Sequence, residues 1–251
     1  MKRIACLALA LLLLIGCTNQ PGNEEGGGSS SAPNGSVSTT PTPPAGSAAA
    51  TMTGTVFFVG ETPFLFNASS LYSLPTRSDI PTLLGGEVVE IGYDGFILES
   101  WPAQFANVSY ITISEERPDV IAFWLGVLED LMETDPALNE DAEMLTFDFT
   151  KATLSPEERD AFLYAAGCIY GVETYEYTFE ALYEAGLVDP EKPYFERGLH
   201  IMLEVFDVAD QAFGFHIQKW RSALGAYGFH DCTATLKDGI WTYVIGEQFI
   251  S

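Results

Sequence analysis

The stretch "VVEIGYDGFILES", residues 88–100, carries the strongest local fold signal in the chain. Two apolar runs flank Asp94-Gly95, a dipeptide in which Gly takes a positive φ at low steric cost, so the pattern predicts a β-hairpin with a two-residue turn. Working outward, "TGTVFFVGETPFLFNA" (53–68) reads as two strands broken at Gly60 to Pro63. On the other side, "NVSYITIS" (107–114) alternates Val108 and Tyr110 against Ile111 and Ile113. Five short strands of this kind predict a small antiparallel β-barrel over residues 52–115, an arrangement that leaves few open edges.

The run from Gly86 to Ile113 contains Tyr93-Asp94-Gly95, a second strand, and then Pro102-Ala103-Gln104 before a last strand. In this it resembles the end of small OB-like barrel modules found in uncharacterised lipoproteins of Gram-positive bacteria. The resemblance implies a fold and a habitat, and it implies no catalytic residues. Trp101, beside Pro102, is a candidate ligand-stacking side chain or a plug for the barrel end.

Beyond the first module the periodicity changes. Val120, Phe123, Trp124, Val127, Leu128 and Leu131 recur at spacings of three and four and predict a helix ending before Pro136. "SPEERDAFLYAAGCIYG" offers Ser155 as a cap, Pro156 at the first position, Glu158 three residues after the cap and Gly171 near the stop. Thr178 opens a short third helix, "FEALYEAG". After Gly198 the pattern becomes β-like and ends in "TATLKDGIWTYVIG", a hairpin turned at Asp238-Gly239. Residues 116–251 are therefore predicted to form an α+β domain with helices packed on one face of an antiparallel sheet.

Within that β-like region lies "HIQKWRSALGAYGFHDC" (216–232). Its Lys-Trp-Arg-Ser and Leu-Gly-Ala portions resemble a segment of uncharacterised lipoproteins from Gram-positive gut bacteria. Lys219, Trp220 and Arg221 are a candidate surface for an anionic or carbohydrate ligand; the structural alternative is a short helix or bend with Trp220 inside and both cations paired to carboxylates. Cys168 and Cys232 are a candidate disulfide for an oxidising compartment. His200, His216 and His230 match no local metal spacing, and convergence with either cysteine would be needed for a thiolate–imidazole pair or zinc chemistry. No Gly-x-Ser-x-Gly elbow, phosphate loop, dinucleotide fingerprint or His-Glu-x-x-His helix is present. "DPALNEDAEMLT" (135–146) lacks the Gly and Glu that a calcium loop needs at its sixth and twelfth positions.

The N-terminus supplies the address. Lys2 and Arg3, the apolar run from Ile4 to Ile15 and Gly16 have the layout of a secretory signal over 1–16. Leu14-Ile15-Gly16-Cys17 resembles the lipobox of bacterial lipoproteins, which implies lipid on Cys17 and residence at the cell membrane on the extracytoplasmic side. Two acyl chains anchor stably where one does not. Residues 17–51 then read as the lipidated Cys17 followed by a Gly/Ser/Pro-rich tether, whose coil dimension is roughly 30–35 Å. Without Lys2 and Arg3, nine basic residues face 35 acidic ones, a formal charge of −26. Nucleic acid is excluded as a partner, since Lys and Arg neutralising phosphate supply nearly all non-specific affinity. The expected function is a membrane-anchored binding or protein-interaction module that uses no cofactor, metal or catalytic set, with an envelope protein or glycan as its partner. A structural or inhibitory module, and an envelope hydrolase acting on peptidoglycan or polysaccharide through carboxylates or a His/Cys set, are the alternatives.

Overall fold

The structure, a computed structural model, describes residues 48–251, so the signal segment, Cys17 and the tether up to residue 47 lie outside the described residues. Gly95 does adopt a positive φ of 87°, yet the chain on its two sides does not pair as a hairpin. Strand β4 (Val88–Tyr93) already has β1 (Ala50–Val59) on one edge and β7 (Val108–Glu115) on the other. With both edges of β4 occupied, β5 (Ile97–Leu98) turns away and pairs with β6 (Ala103–Phe105). β1 also pairs with β2 (Thr62–Phe66), and β2 with β3 (Leu71–Ser73). The resulting order is β5-β6-β3-β2-β1-β4-β7. Among the described residues this is an open path of seven strands, where the sequence predicted a barrel of five.

The helices follow their sequence signals closely. α1 (Val120–Glu133) buries the stripe containing Phe123, Trp124, Val127, Leu128 and Leu131, and Asp119 caps it. α2 (Pro156–Tyr170) has the full capping box: Ser155 accepts from the Glu158 N–H, and the Glu158 carboxylate accepts from the Ser155 N–H at 2.7 Å. Gly171 closes it in the left-handed conformation that a Cβ would disfavour, at φ 66°. α3 (Phe179–Glu184) starts at the Thr178 cap.

The second sheet is mixed. β10 (Gly198–Ala209), β11 (Ala212–Ser222), β12 (Gly225–Lys237) and β13 (Ile240–Val244) form an antiparallel run. Here Asp238-Gly239 does turn a two-residue hairpin, with Lys237 opposite Ile240. β14 (Glu247–Ile250) adds to β12. Two further strands, β8 (Met144–Lys151) and β9 (Glu173–Glu176), extend the sheet in parallel beside β10. The alternation Leu145, Phe147, Phe149 against Thr146, Asp148, Thr150 is the sequence signal for β8. Nor do all helices share one face: α1 and α2 pack on one side, while Phe179 and Leu182 of α3 pack with Trp220 on the other. The chain is thus mixed α and β, mostly sheet, with two antiparallel-rich sheets.

One core cluster joins them. Phe57, Phe64, Phe66 and Leu71 of the first sheet belong to the same buried cluster as α1, α2 and the strands β8, β10, β11 and β12. On α2, Phe162 meets Phe147 and Phe149 at ring distances of 5.2 and 5.8 Å, while Tyr164 meets Phe64 and Phe57 at 5.2 and 6.4 Å. Replacing Phe162 by Ala is expected to cost about 3–5 kcal/mol. In urea denaturation, circular dichroism and hydrogen exchange of both sheets should report one shared, shifted transition.

Candidate functional site

Strand alternation decides where the singled-out residues go. The Lys219-Trp220-Arg221 segment is a strand, not a helix or bend, so its side chains leave on opposite faces and form no common surface. Trp220 enters the cluster under α3, 4.7 Å from the Phe179 ring. Lys219 is fully buried, and its Nζ donates to the carbonyls of Thr134 (2.5 Å) and Asp135 (3.1 Å) and to Asn139 Oδ1 (2.9 Å). Burial pushes its ammonium down to about 8. Arg221 donates to the carbonyls of Leu138 (2.8 Å), Glu140 and Glu196 (3.1 Å). Both cations hold a short 3-10 helix, Pro136–Asn139, and their partners are backbone carbonyls and the Asn139 side-chain amide where the sequence pattern predicted carboxylates.

Cys232 is a free, buried thiol, so the candidate Cys168–Cys232 bridge is not formed. It lies on the core side of β12, in the same cluster that Cys168 packs against. Burial raises its thiol above the usual value. His200 is buried too: its Nδ1 is 2.9 Å from Thr146 Oγ1, whose hydroxyl also reaches the Leu199 carbonyl at 3.3 Å, and Nε2 has no hydrogen-bond partner. The Phe179 ring stands edge-on at 4.5 Å. Burial holds this imidazole down to about 4.

The other two histidines come together. The register between β11 and β12 slips, so that His230 and Asp231 both face His216, and Asp231 takes a φ of 50°. This bulge has three effects. The Asp231 N–H donates to His216 Nδ1 at 3.0 Å, which leaves the neutral ring's proton on Nε2. His216 and His230 lie with ring centroids 4.9 Å apart. Cys232 is displaced to the core face, away from both imidazoles.

His216 and His230 continue into a row of four rings across four strands. Phe206 stands 4.7 Å from His216, and Phe249 stands 5.0 Å from His230. Gly214 makes room for this row, because a Cβ there would lie 2.3 Å from the Phe206 ring. Beside it runs a groove of about 270 Å³ lined by Asp148, Lys151, Glu204, Gln218 and both histidines. The Thr150 N–H and hydroxyl hold Asp148 Oδ1 at 2.9 and 2.6 Å, and Lys151 pairs with Glu204 at 2.9 Å. α3 covers the neighbouring half of this sheet face, and the groove occupies the half it leaves open. The groove offers carboxylate acceptors, amide and ammonium donors, and imidazole edges. Among the described residues no trio of His, Cys, Asp or Glu converges as a metal would require.

A larger cleft of about 670 Å³ contains Glu87, Glu116, Asp119 and Asp238 beside Trp241. Its inner carboxylates are committed to backbone: Glu87 accepts from the Leu84 N–H at 2.7 Å and Asp119 from the Ala122 N–H at 2.8 Å. Burial raises the Asp119 carboxyl above its ordinary value. Trp101 lies in neither cavity; it is 40 % exposed, next to exposed Phe96 and Leu98.

The fold and the groove define a two-sheet protein with one half-open, ring-lined sheet face. No protein-family model, curated protein or solved structure matches this chain.

The buried His200 generates a pH dependence. Its folded value, about 4, is below the 6.5 of a free imidazole, so the unfolded chain binds more protons between those values. The stability that neutral His200 contributes is complete above pH 6.5 and is lost as pH falls toward 4. The loss should reach up to roughly 3 kcal/mol. Urea titrations of the wild type and His200→Leu across this window should show the extra acid slope only in the wild type.

Proposed function

We propose that this chain is a membrane-anchored extracytoplasmic lipoprotein that works as a binding module, taking a polar segment of an envelope protein or glycan on the open half of its second sheet. One observation carries the reading. The half-face left bare by α3 is where the ring row Phe206, His216, His230 and Phe249 borders Asp148, Lys151, Glu204 and Gln218. A preorganised strip of rings edged by donors and acceptors suits a polar ligand. The anchor rests on the lipobox-like Leu14-Ile15-Gly16-Cys17, and no described helix is long and apolar enough to cross a membrane. In the larger cleft Glu87 and Asp119 serve as backbone acceptors, which favours binding over hydrolysis. We read the first sheet as an OB-like module on the strength of its Tyr93-Asp94-Gly95 turn and Pro102-Ala103-Gln104 step; the likeness is one of motif, since its described strands leave the path open.

Imidazole NMR resolves the groove from the core. Titrating soluble peptidoglycan fragments or envelope peptides into the full chain should shift the His216 and His230 signals and leave His200 in place. If bound ligand moves neither His216 nor His230, the groove is not the binding site. For the anchor, Cys17→Ala is expected to move the protein from the membrane fraction to the soluble one, and unchanged membrane retention would count against lipid at that residue.

A further inference from the structure

The segment "FILESW" (96–101) is the most apolar exposed stretch of the described chain. Phe96 is 70 %, Leu98 51 %, Trp101 40 % and Ile97 37 % exposed. Its position follows from the pairing of β4, which leaves β5 at the sheet edge. The loop is nevertheless tightly built. The Asp94 carboxylate accepts from the Phe96 N–H at 3.1 Å and from Asn107 Nδ2 at 2.7 Å, and these bonds hold its pKa below the usual carboxylate range. The Ser100 hydroxyl donates to the Pro102 carbonyl at 2.7 Å, and the Ala106 N–H to the Phe96 carbonyl at 3.1 Å. An apolar tip braced in this way loses little conformational freedom when it is covered.

The chain enters the fold beside this tip. The Ala49 N–H donates to the Tyr93 carbonyl at 2.9 Å, and a Cβ on Gly95 would sit 3.9 Å from that of Ala49. The described chain therefore begins next to the turn that leads into Phe96, thirty residues of sequence (18–47) after Cys17. A lipid on Cys17 keeps the tip at high effective concentration near one surface, that of the bilayer holding the lipid. The composition suits that surface: Trp with Phe, Ile and Leu favours the membrane interface, and Glu99 is the one charge between Gly95 and Ala103. With a formal charge of −26 in the chain lacking Lys2 and Arg3, electrostatic attraction to anionic lipid cannot seat this protein; apolar insertion can.

We infer that Phe96, Ile97, Leu98 and Trp101 form a membrane-contact tip that inserts into the interfacial layer of the bilayer carrying the Cys17 lipid. The inference rests on the anchor proposed above. It is tested with the full chain, processed and lipidated in a bacterial host, reconstituted into phosphatidylcholine vesicles with or without bromine on the upper acyl chain. Brominated lipid should quench part of the tryptophan emission, and that part should vanish in Trp101→Phe, since Trp124 and Trp220 are buried and the half-buried Trp241 packs against Phe123 and Phe213 on the second sheet, away from this tip. A Phe96→Ser/Leu98→Ser variant that keeps Trp101 should reduce the quenching at unchanged circular dichroism. Equal emission from both vesicle types in the lipidated wild type overturns the tip. The mass of the mature chain reads the anchor separately: if no lipid is found, Cys17 is coupled to a maleimide lipid and quenching is read again. Quenching then keeps the tip without the natural anchor, and its absence removes both.

Discussion

The structure depends on a helix that must be covered on two sides. From Ala161 to Gly167 every residue of α2 is buried, which a helix packed on one sheet alone does not achieve. Phe162 and Tyr164 are two residues apart and so point to nearly opposite sides; one meets the aromatic rings of β8, the other those of β1 and β2. Small side chains at Ala161, Ala165, Ala166 and Gly167 allow close approach. Thr174 fixes the next strand by donating to the Leu163 carbonyl at 2.8 Å. The two sheets are therefore held through a shared layer of helices.

That arrangement explains which face of the second sheet is free to bind. Its helix-facing side is filled by Leu199, Ile201, Phe215, Ile217 and Phe229, so any ligand must use the other side. Only half of that side is closed by α3. A single extra residue at Asp231 then organises what remains, because it aligns two imidazoles and sends the neighbouring thiol inward. Lys219 and Arg221 serve the opposite face, where they satisfy the carbonyls of a short loop and replace apolar packing there.

Much of the local architecture was legible from the chain. The capping box at Ser155, the αL stop at Gly171, the α1 stripe and the Asp238-Gly239 hairpin all rest on contacts within a few residues. The strand β8 carries its own signal, the alternation of Leu145, Phe147 and Phe149 with polar residues. The meeting of His216 and His230 had a weaker signal. Their spacing of fourteen matches no metal motif, yet Gln218 pairs with Gly228 and Ile217 with Phe229, so the same hairpin geometry brings residue 216 opposite 230.

Two Asp-Gly turns show where the limit falls. Both glycines take positive φ, as their chemistry dictates, and only the one at 239 closes a hairpin. At 238–239 the strand β12 has an edge to offer; at 94–95 both edges of β4 are taken by β1 and β7, which arrive from about 40 residues upstream and 15 downstream. The sequence by itself determined the three α-helices, the caps at Ser155 and Thr178, the positive-φ glycines at 95, 171 and 239 and the acidic character of the whole. Tertiary structure alone decided which strands pair, which face each side chain of Lys219-Trp220-Arg221 occupies, and which half of a sheet stays open. The reason is physical: torsion and capping energies act within one turn of chain, whereas strand pairing is a competition among edges for a limited number of hydrogen-bonding partners.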